Sequence, residues 1–160
     1  MARYDASTAE ILVFTYKEGL LSAVAHDLKF KATRFTLEVD DAQAKLELET
    51  SSLRVVNGMK DGVDAPSMIP SSKYPEIEEN ARETLGAKKH PSIQFVTTQV
   101  SDSSIAGKLT LNGQTHEVRG SRAGNTAEIR FDQRTFGIKP FSAMLGALKV
   151  KPEVVVKVKF

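Results

Sequence analysis

The dipeptide Asn112-Gly113 constrains this chain more than any other feature. A two-residue turn between paired strands needs positive φ at both central positions, and Asn and Gly tolerate that best. The flanking residues read as strands. Upstream, Ile105, Gly107, Leu109 and Leu111 share one face, with Ala106, Lys108 and Thr110 on the other. Downstream, His116, Val118 and Gly120 oppose Glu117, Arg119 and Ser121. The period is 2 on both sides of the turn, so residues 105–120 form a hairpin that sets the register of a β-rich chain.

The rest of the sequence supplies partners for that hairpin. Residues 9–16 make a first strand, and residues 18–25 (EGLLSAVA) a connector with room for one helical turn. Residues 26–40 read as one long strand with a defect. Leu28, Phe30 and Ala32 share a face, but Phe35, Leu37 and Val39 continue with the opposite parity. A bulge near Thr33-Arg34 accounts for the phase shift, and a tight turn between two strands is the alternative. Ala44, Leu46 and Leu48 then alternate with Lys45, Glu47 and Glu49 in a strand that runs to about Val56. Residues 57–74 are irregular but hold Met59, Val63, Met68 and Ile69, and a loop this long is usually functional or disordered.

One segment departs from the β pattern. Pro75 suits a first helical position, and Glu76, Glu78 and Glu79 suit the positive end of the helix dipole. Ile77, Ala81 and Leu85 recur at helical spacing, and Lys88, Lys89 and His90 precede the stop at Pro91. The pattern predicts an amphipathic helix over residues 75–89. Strands resume from Ile93 to about Val100, through the hairpin, over residues 126–133, and over residues 150–160, where Val154, Val156, Val158 and Phe160 alternate with Val155, Lys157 and Lys159. Residues 140–147 (PFSAMLGA) suggest a short helical turn near residues 141–147. The sum is a mainly β chain of about eight strands joined by short turns. An eight-stranded antiparallel, lipocalin-like barrel is the economical closure, either filled by its own side chains or holding one slender ligand.

Composition limits what such a barrel does. With 160 residues, 41% of them hydrophobic and 26% charged, the chain suits a single folded domain over 1–160 and not a disordered one. Cysteine is absent, which excludes disulfides, thiol catalysis, iron–sulfur clusters and zinc ribbons. The apolar run Ile11-Leu12-Val13-Phe14 is too short for a secretory signal, and no stretch reaches the ~18 apolar residues of a membrane span. The expectation is a cytoplasmic chain without an integral membrane segment, although a chain trimmed of a signal would read the same.

Site motifs are sparse. His26, His90 and His116 show no metal-ligand spacing. His26-Asp27 is a lone pair of neighbours that a strand sends to opposite faces. There is no serine elbow and no phosphate loop, and Gly58, Gly62 and Gly86 are too dispersed for a dinucleotide site. Arg119, Arg122, Arg130 and Arg134 read as a solvated face; with net charge +2 and no tryptophan they do not mark a nucleic-acid site. Apolar residues say more. Phe30, Phe35, Phe95, Phe131, Phe136 and Phe141 fall on or near strand faces, and Met59, Met68, Ile69, Met144 and Leu145 could rim a barrel mouth.

The order of these elements resembles the YceI-like domain family of lipocalin-like lipid binders. The resemblance rests on AHDLKFKATRF (residues 25–35), on HPSIQF (residues 90–95) opening a mid-chain strand, on GKLTLNGQTHEV (residues 107–118), on Phe136-Gly137-Ile138 and on the valine-rich last strand. It implies an extended eight-stranded barrel crossed by a helix, whose bore holds a polyisoprenoid or an isoprenoid-quinone-like tail. No enzyme activity follows from it, and the sequence gives no reason to expect a metal or cofactor. The bore and mouth residues that follow are His26, Leu28, Phe30, Phe35, Phe95, Leu109, Leu111, Phe131, Phe136, Phe141 and Met144, with His26 at the mouth by resemblance alone. The expected partner is a long-chain isoprenoid or related lipid, with a homodimer left open. Two other readings compete: a small enzyme acting on a lipid-like substrate through His26, and a filled barrel serving as an interaction or oligomerisation module.

Overall fold

The computed structural model describes residues 2–18, 26–143 and 148–160. Strands β1 (Ala2–Tyr4), β2 (Glu10–Thr15), β3 (Lys17–Glu18), β4 (Asp27–Ala32) and β5 (Phe35–Val39) are followed by β6 (Ala44–Glu49), β7 (Leu53–Lys60) and β8 (Val63–Asp64). The helix α1 (Tyr74–Thr84) interrupts them. Strands β9 (Ser92–Val100), β10 (Ser104–Leu111), β11 (Gln114–Ala123), β12 (Thr126–Asp132), β13 (Ser142–Ala143), β14 (Leu148–Val150) and β15 (Glu153–Lys159) complete the chain.

All strand pairs are antiparallel, and the main sheet runs β1-β5-β6-β9-β10-β11-β12-β15-β2-β4-β7-β8. Near its two ends lie two stretches of the same hairpin. Strands β4 and β5 are one bent strand, and β6 and β7 are another. β5 pairs with β6 (Phe35↔Leu48) and β4 with β7 (Ala32↔Leu53). The sheet therefore curls until it meets itself. Counted as continuous strands, the ring is β4–β5, β6–β7, β9, β10, β11, β12, β15 and β2, which makes eight among the described residues.

The corner of the bent hairpin is where parity reversed in the sequence. Phe30 and Ala32 are buried before it and Phe35 and Leu37 after it, while Thr33 and Arg34 are exposed between them. The hydrogen bonds continue round the corner: the Thr33 N–H donates to Ser52 O (3.0 Å) and the Glu49 N–H to Arg34 O (3.0 Å). β4 and β5 do not pair with each other, so the tight-turn alternative is excluded. Thr50 and Ser52 are buried in the corner, and their hydroxyls donate to His90 O (2.8 Å) and Arg34 O (3.3 Å). Buried hydroxyls with such partners cost little and fix the bend.

The Asn112-Gly113 turn forms as its residues require, with φ of 54° and 74°. Leu111 then pairs with Gln114 and Leu109 with His116, and the Thr110 and Thr115 hydroxyls bond at 2.8 Å.

The structure corrects the sequence reading in three places. Residues 57–60, expected in an irregular segment, extend β7, and Val63–Asp64 pair back on them as β8. The helix runs from Tyr74 to Thr84 and not to Lys89. Gly86 adopts φ +65°, the left-handed conformation that ends helices, so Lys88 and Lys89 lie in turns beyond it. The short helical turn near residues 141–147 is not what Ser142 and Ala143 form; they make β13, which pairs with β14, itself paired with β3, in a small separate sheet. The rest of that segment, and most of the connector over residues 18–25, lie outside the described residues.

Candidate functional site

The inward faces of the ring do not fill it. They enclose a cavity of about 470 Å³, within the range of about 300–1,000 Å³ typical of small-molecule sites. The filled-barrel reading is thereby set aside. One end of the cavity lies beside the Asp40–Asp41 turn, where Val39, Ala44, Ile105, Val158 and Phe160 border it. Their register positions agree: Val39 and Ala44 form the last pair before that turn, and Ile105 pairs with Val100. The Phe160 ring packs against the Tyr4 ring at a tilt, with centroids 5.4 Å apart.

The other end lies under α1. Past the corner β7 no longer pairs with β9, and the helix covers the edge this leaves. Glu78 Oε2 accepts the Val55 N–H (2.9 Å) and the Tyr74 hydroxyl donates to Val56 O (3.4 Å). An unpaired strand edge exposes backbone donors and acceptors, and here the helix satisfies two of them. Ile77, Asn80, Ala81, Thr84 and Leu85 border the cavity from this helix, at the spacing that places them on one face. None of the residues of α1 itself is fully buried, because its apolar stripe faces the cavity instead of packed core.

A second gap opens between β11 and β12, which pair only over residues 120–123 and 126–129. Phe136 plugs it. Its ring is fully buried, edge-on to His116 (5.1 Å) and Phe131 (5.6 Å), and its carbonyl accepts from Asn112 Nδ2 at 3.0 Å.

Of the residues singled out in the sequence, His26, Leu28 and Phe30 border the cavity, as do Phe95, Leu109 and Leu111 on the facing strands and Phe131 and Phe141 at the helix end. Phe35 and Phe136 do not. Phe136 is the wall plug just described, and Phe35 is core at the corner, where the bend turns it away from the bore. Met144 lies outside the described residues. Phe95 sits against Gly107: a Cβ there would come within 2.5 Å of the ring, so glycine is what lets the phenyl lie flat in the wall.

Sequence reasoning singled out His26 and missed the other polar residues. Thr15, Lys17 and His26 border the cavity, with Asn80 and Thr84 from the helix and Gln133 and Lys149 beyond. All lie at the helix end. Asn80 and Thr84 were legible, since they stand three and seven positions after Ile77 on the same helical stripe. Lys17 and His26 border the cavity where β2 and β4 finish, as the register Thr15↔Leu28 requires. His26 Nδ1 is buried with no hydrogen-bond partner among the described residues, whereas Gln133 is buried with its Nε2 donating to Lys151 O (3.2 Å). Just outside this wall, burial pushes the Tyr16 hydroxyl pKa above its usual value, with smaller contributions from the charges around it. On the outer face Asp132 is held below the usual carboxylate range, chiefly by its hydrogen bonds to the Arg134 side chain.

A closed eight-stranded wall, a helix across one end and an apolar bore are what the quoted motifs implied. A family comparison agrees over residues 4–160. The chain belongs to the YceI-like domain family. No curated protein matches it. The YceI-like match covers nearly every strand of the ring, so cavity, helix and mouth all lie within the family's domain. Among the described residues there is no group of His, Asp and Glu side chains placed to hold a metal, and no helix long and apolar enough to cross a membrane.

Proposed function

We propose that the protein binds a long-chain apolar lipid of the polyisoprenoid class in the bore of its barrel, as a non-enzymatic carrier or store. The observation that supports this best is the cavity, long and bordered by aliphatic and aromatic side chains from nearly every strand of the ring. A hydrocarbon tail without polar groups gains about 0.8 kcal/mol per buried methylene in such a site. The wall offers no directional partners to a tail, so selection within it acts through length and shape.

Purified protein extracted with organic solvent and examined by mass spectrometry should release a long apolar molecule. The stripped chain should take up geranylgeraniol with a defined stoichiometry in native mass spectra. A stripped, folded chain that takes up neither geranylgeraniol nor a longer polyprenol overturns the reading.

A further inference from the structure

The outer rim of the helix end differs from that of the other end in charge and in exposed carbon. Strand tips stand there in one line. β13 pairs with β14 and β14 with β3; the chain joins β3 to β2, and β2 pairs with β4, β4 with β7 and β7 with β8. Lys60, Lys139, Lys149 and Lys151 lie along or beside this line, all exposed, and none makes an ion pair among the described residues. The acids nearby are engaged. Asp64 pairs with Lys29 (2.8 Å) and Glu153 with Arg130 (3.3 Å). Asp27 accepts the Lys17 backbone N–H (2.8 Å), and Glu18 stands opposite Lys149 in register. That leaves Asp61, in the β7–β8 turn, as the exposed acid of this rim outside an ion pair among the described residues. The turns at the opposite end, residues 40–43, 101–103 and 124–125, hold Asp40, Asp41 and Asp102 and no lysine or arginine.

The same rim exposes carbon. Val63 is 66% exposed and Phe141 37%, and they stand at opposite ends of the line of tips. Val63 is held out by a tight turn in which Asp61 and Gly62 have φ of 51° and 78°. We infer that this rim is a docking surface for an anionic bilayer, with the lysines on lipid phosphates and Val63 and Phe141 entering the interface. Each signal alone is weak, and membrane association ordinarily takes both charge and apolar insertion. A bilayer fits better than a protein partner. The two apolar residues are separated by the row of charges, whereas a protein interface needs a contiguous buried centre. The inference goes beyond lipid binding in the bore and rests on the outer surface alone.

The test is sedimentation of the folded full-length chain with vesicles of phosphatidylcholine, pure or with about one-third phosphatidylglycerol. The anionic vesicles should bind it at least about tenfold tighter, and the difference should shrink as salt rises. Lys60→Glu/Lys139→Glu/Lys151→Glu should abolish the preference. Arg3→Glu/Lys45→Glu/Lys159→Glu makes the same change of charge away from this rim and should keep binding within about threefold at physiological salt. The chain has no tryptophan, so a single one reports contact without weakening the surface. Val63→Trp emission should move to the blue on anionic vesicles, and Ala42→Trp emission, from the opposite end, should not. No preference for anionic vesicles, a preference that survives the rim variant, or equal blue shifts at both ends overturns the docking surface. None of these outcomes bears on whether the bore takes up geranylgeraniol, so the lipid reading stands or falls separately.

Discussion

The two ends of the bore are built from different physics. At the Asp40–Asp41 turn, the wall is a ladder of strands continuous but for one register shift at Ala106-Gly107, closed by the ring of Phe160 against Tyr4 and bordered by apolar side chains. At the helix end the ladder comes apart twice, between β7 and β9 and between β11 and β12, and each gap is covered by a segment that is not a strand. The apolar half is fixed by pairing; the other half is fixed by single side chains, among them Glu78, Tyr74, Asn112 and Phe136. Where backbone pairing stops, polar side chains come onto the cavity border. A ligand with one apolar and one polar end matches this division, and the way to test the division is to place the same group in both halves.

The largest effect is expected from Leu109→Arg against Thr84→Arg. Leu109 is buried among carbon in the middle of the wall, opposite Phe95. An arginine there has no partner for its charge, so the expected cost is at least about 3 kcal/mol of stability, with lipid uptake abolished. Thr84 borders the helix end and is half-exposed. An arginine there can reach water, so stability should change by less than about 1 kcal/mol, and uptake should persist. Urea melts and native mass spectra of the two variants decide the matter. If both positions accept the charge equally, the two ends are not chemically distinct.

A smaller effect sharpens the apolar half alone. Gly107→Ala sets a methyl group against the Phe95 ring at 2.5 Å and Val96 O at 2.6 Å. Moving the phenyl into the bore relieves the first contact, whereas the second is to backbone and is relieved only by a shift in the β9–β10 ladder, so the substitution both narrows the bore and strains the sheet. Overpacking of this kind costs about 1–3 kcal/mol. The narrowed bore should shift uptake from longer to shorter prenols, read as a changed ratio of geranylgeraniol to farnesol bound. A stable variant with unchanged length selection would show that Phe95 does not gauge the tail.

The same division explains how much of the molecule was legible in its sequence. The apolar half was readable because each of its determinants is local. Asn112-Gly113 names its own turn, and the parity reversal at Thr33-Arg34 names its own corner. Leu109, Leu111, Phe95 and Phe30 border the cavity because alternation had already assigned them a face. At the helix end the determinants are contacts between segments distant in sequence. Phe136 reads like any phenylalanine near a strand; only the premature parting of β11 and β12 makes it a plug instead of a bore residue. Phe35 has the right parity but stands at the corner, where inward no longer means toward the bore. Gly86 is one of three dispersed glycines that make no dinucleotide site, but a glycine after an apolar stripe is also a helix stop. Asn80 and Thr84 share the helical face of Ile77 and Leu85, but a search for apolar residues passes over them. Polar groups on a cavity border are recognisable only once the cavity is known.

The smallest expected effect concerns the outer side of the helix end. Asp132 closes β12 and caps the turn that follows: its Oδ1 accepts the Arg134 N–H at 2.8 Å, and Oδ2 pairs with Arg134 Nη2 at 2.7 Å. That turn carries Gln133 to the cavity border and Phe136 to its plug. The carboxyl pKa of Asp132 is lowered from 3.8, first by the hydrogen bonds to the Arg134 side chain. Because the folded pKa lies below the unfolded one, the contribution is present in full above about pH 4 and is lost as pH falls through the lowered value. Asp132→Asn keeps an oxygen for the Arg134 N–H but loses the charge. It should therefore leave the melting midpoint at pH 7 nearly unchanged, since the pair is exposed to solvent, and should flatten the fall in stability below about pH 4. Asp5 and Asp40 are also lowered, chiefly by hydrogen bonds to Ser7 and Ala42 respectively, so the acid limb persists in the variant, only less steep. Those two carboxylates sit in turns away from the Gln133–Phe136 segment. Hydrogen exchange at the Phe136 and Ile138 amides should accordingly rise on acidification in the native chain before exchange in β9 and β10 does. Simultaneous opening of both regions would mean that the helix end, despite its broken ladder, is no looser than the apolar end.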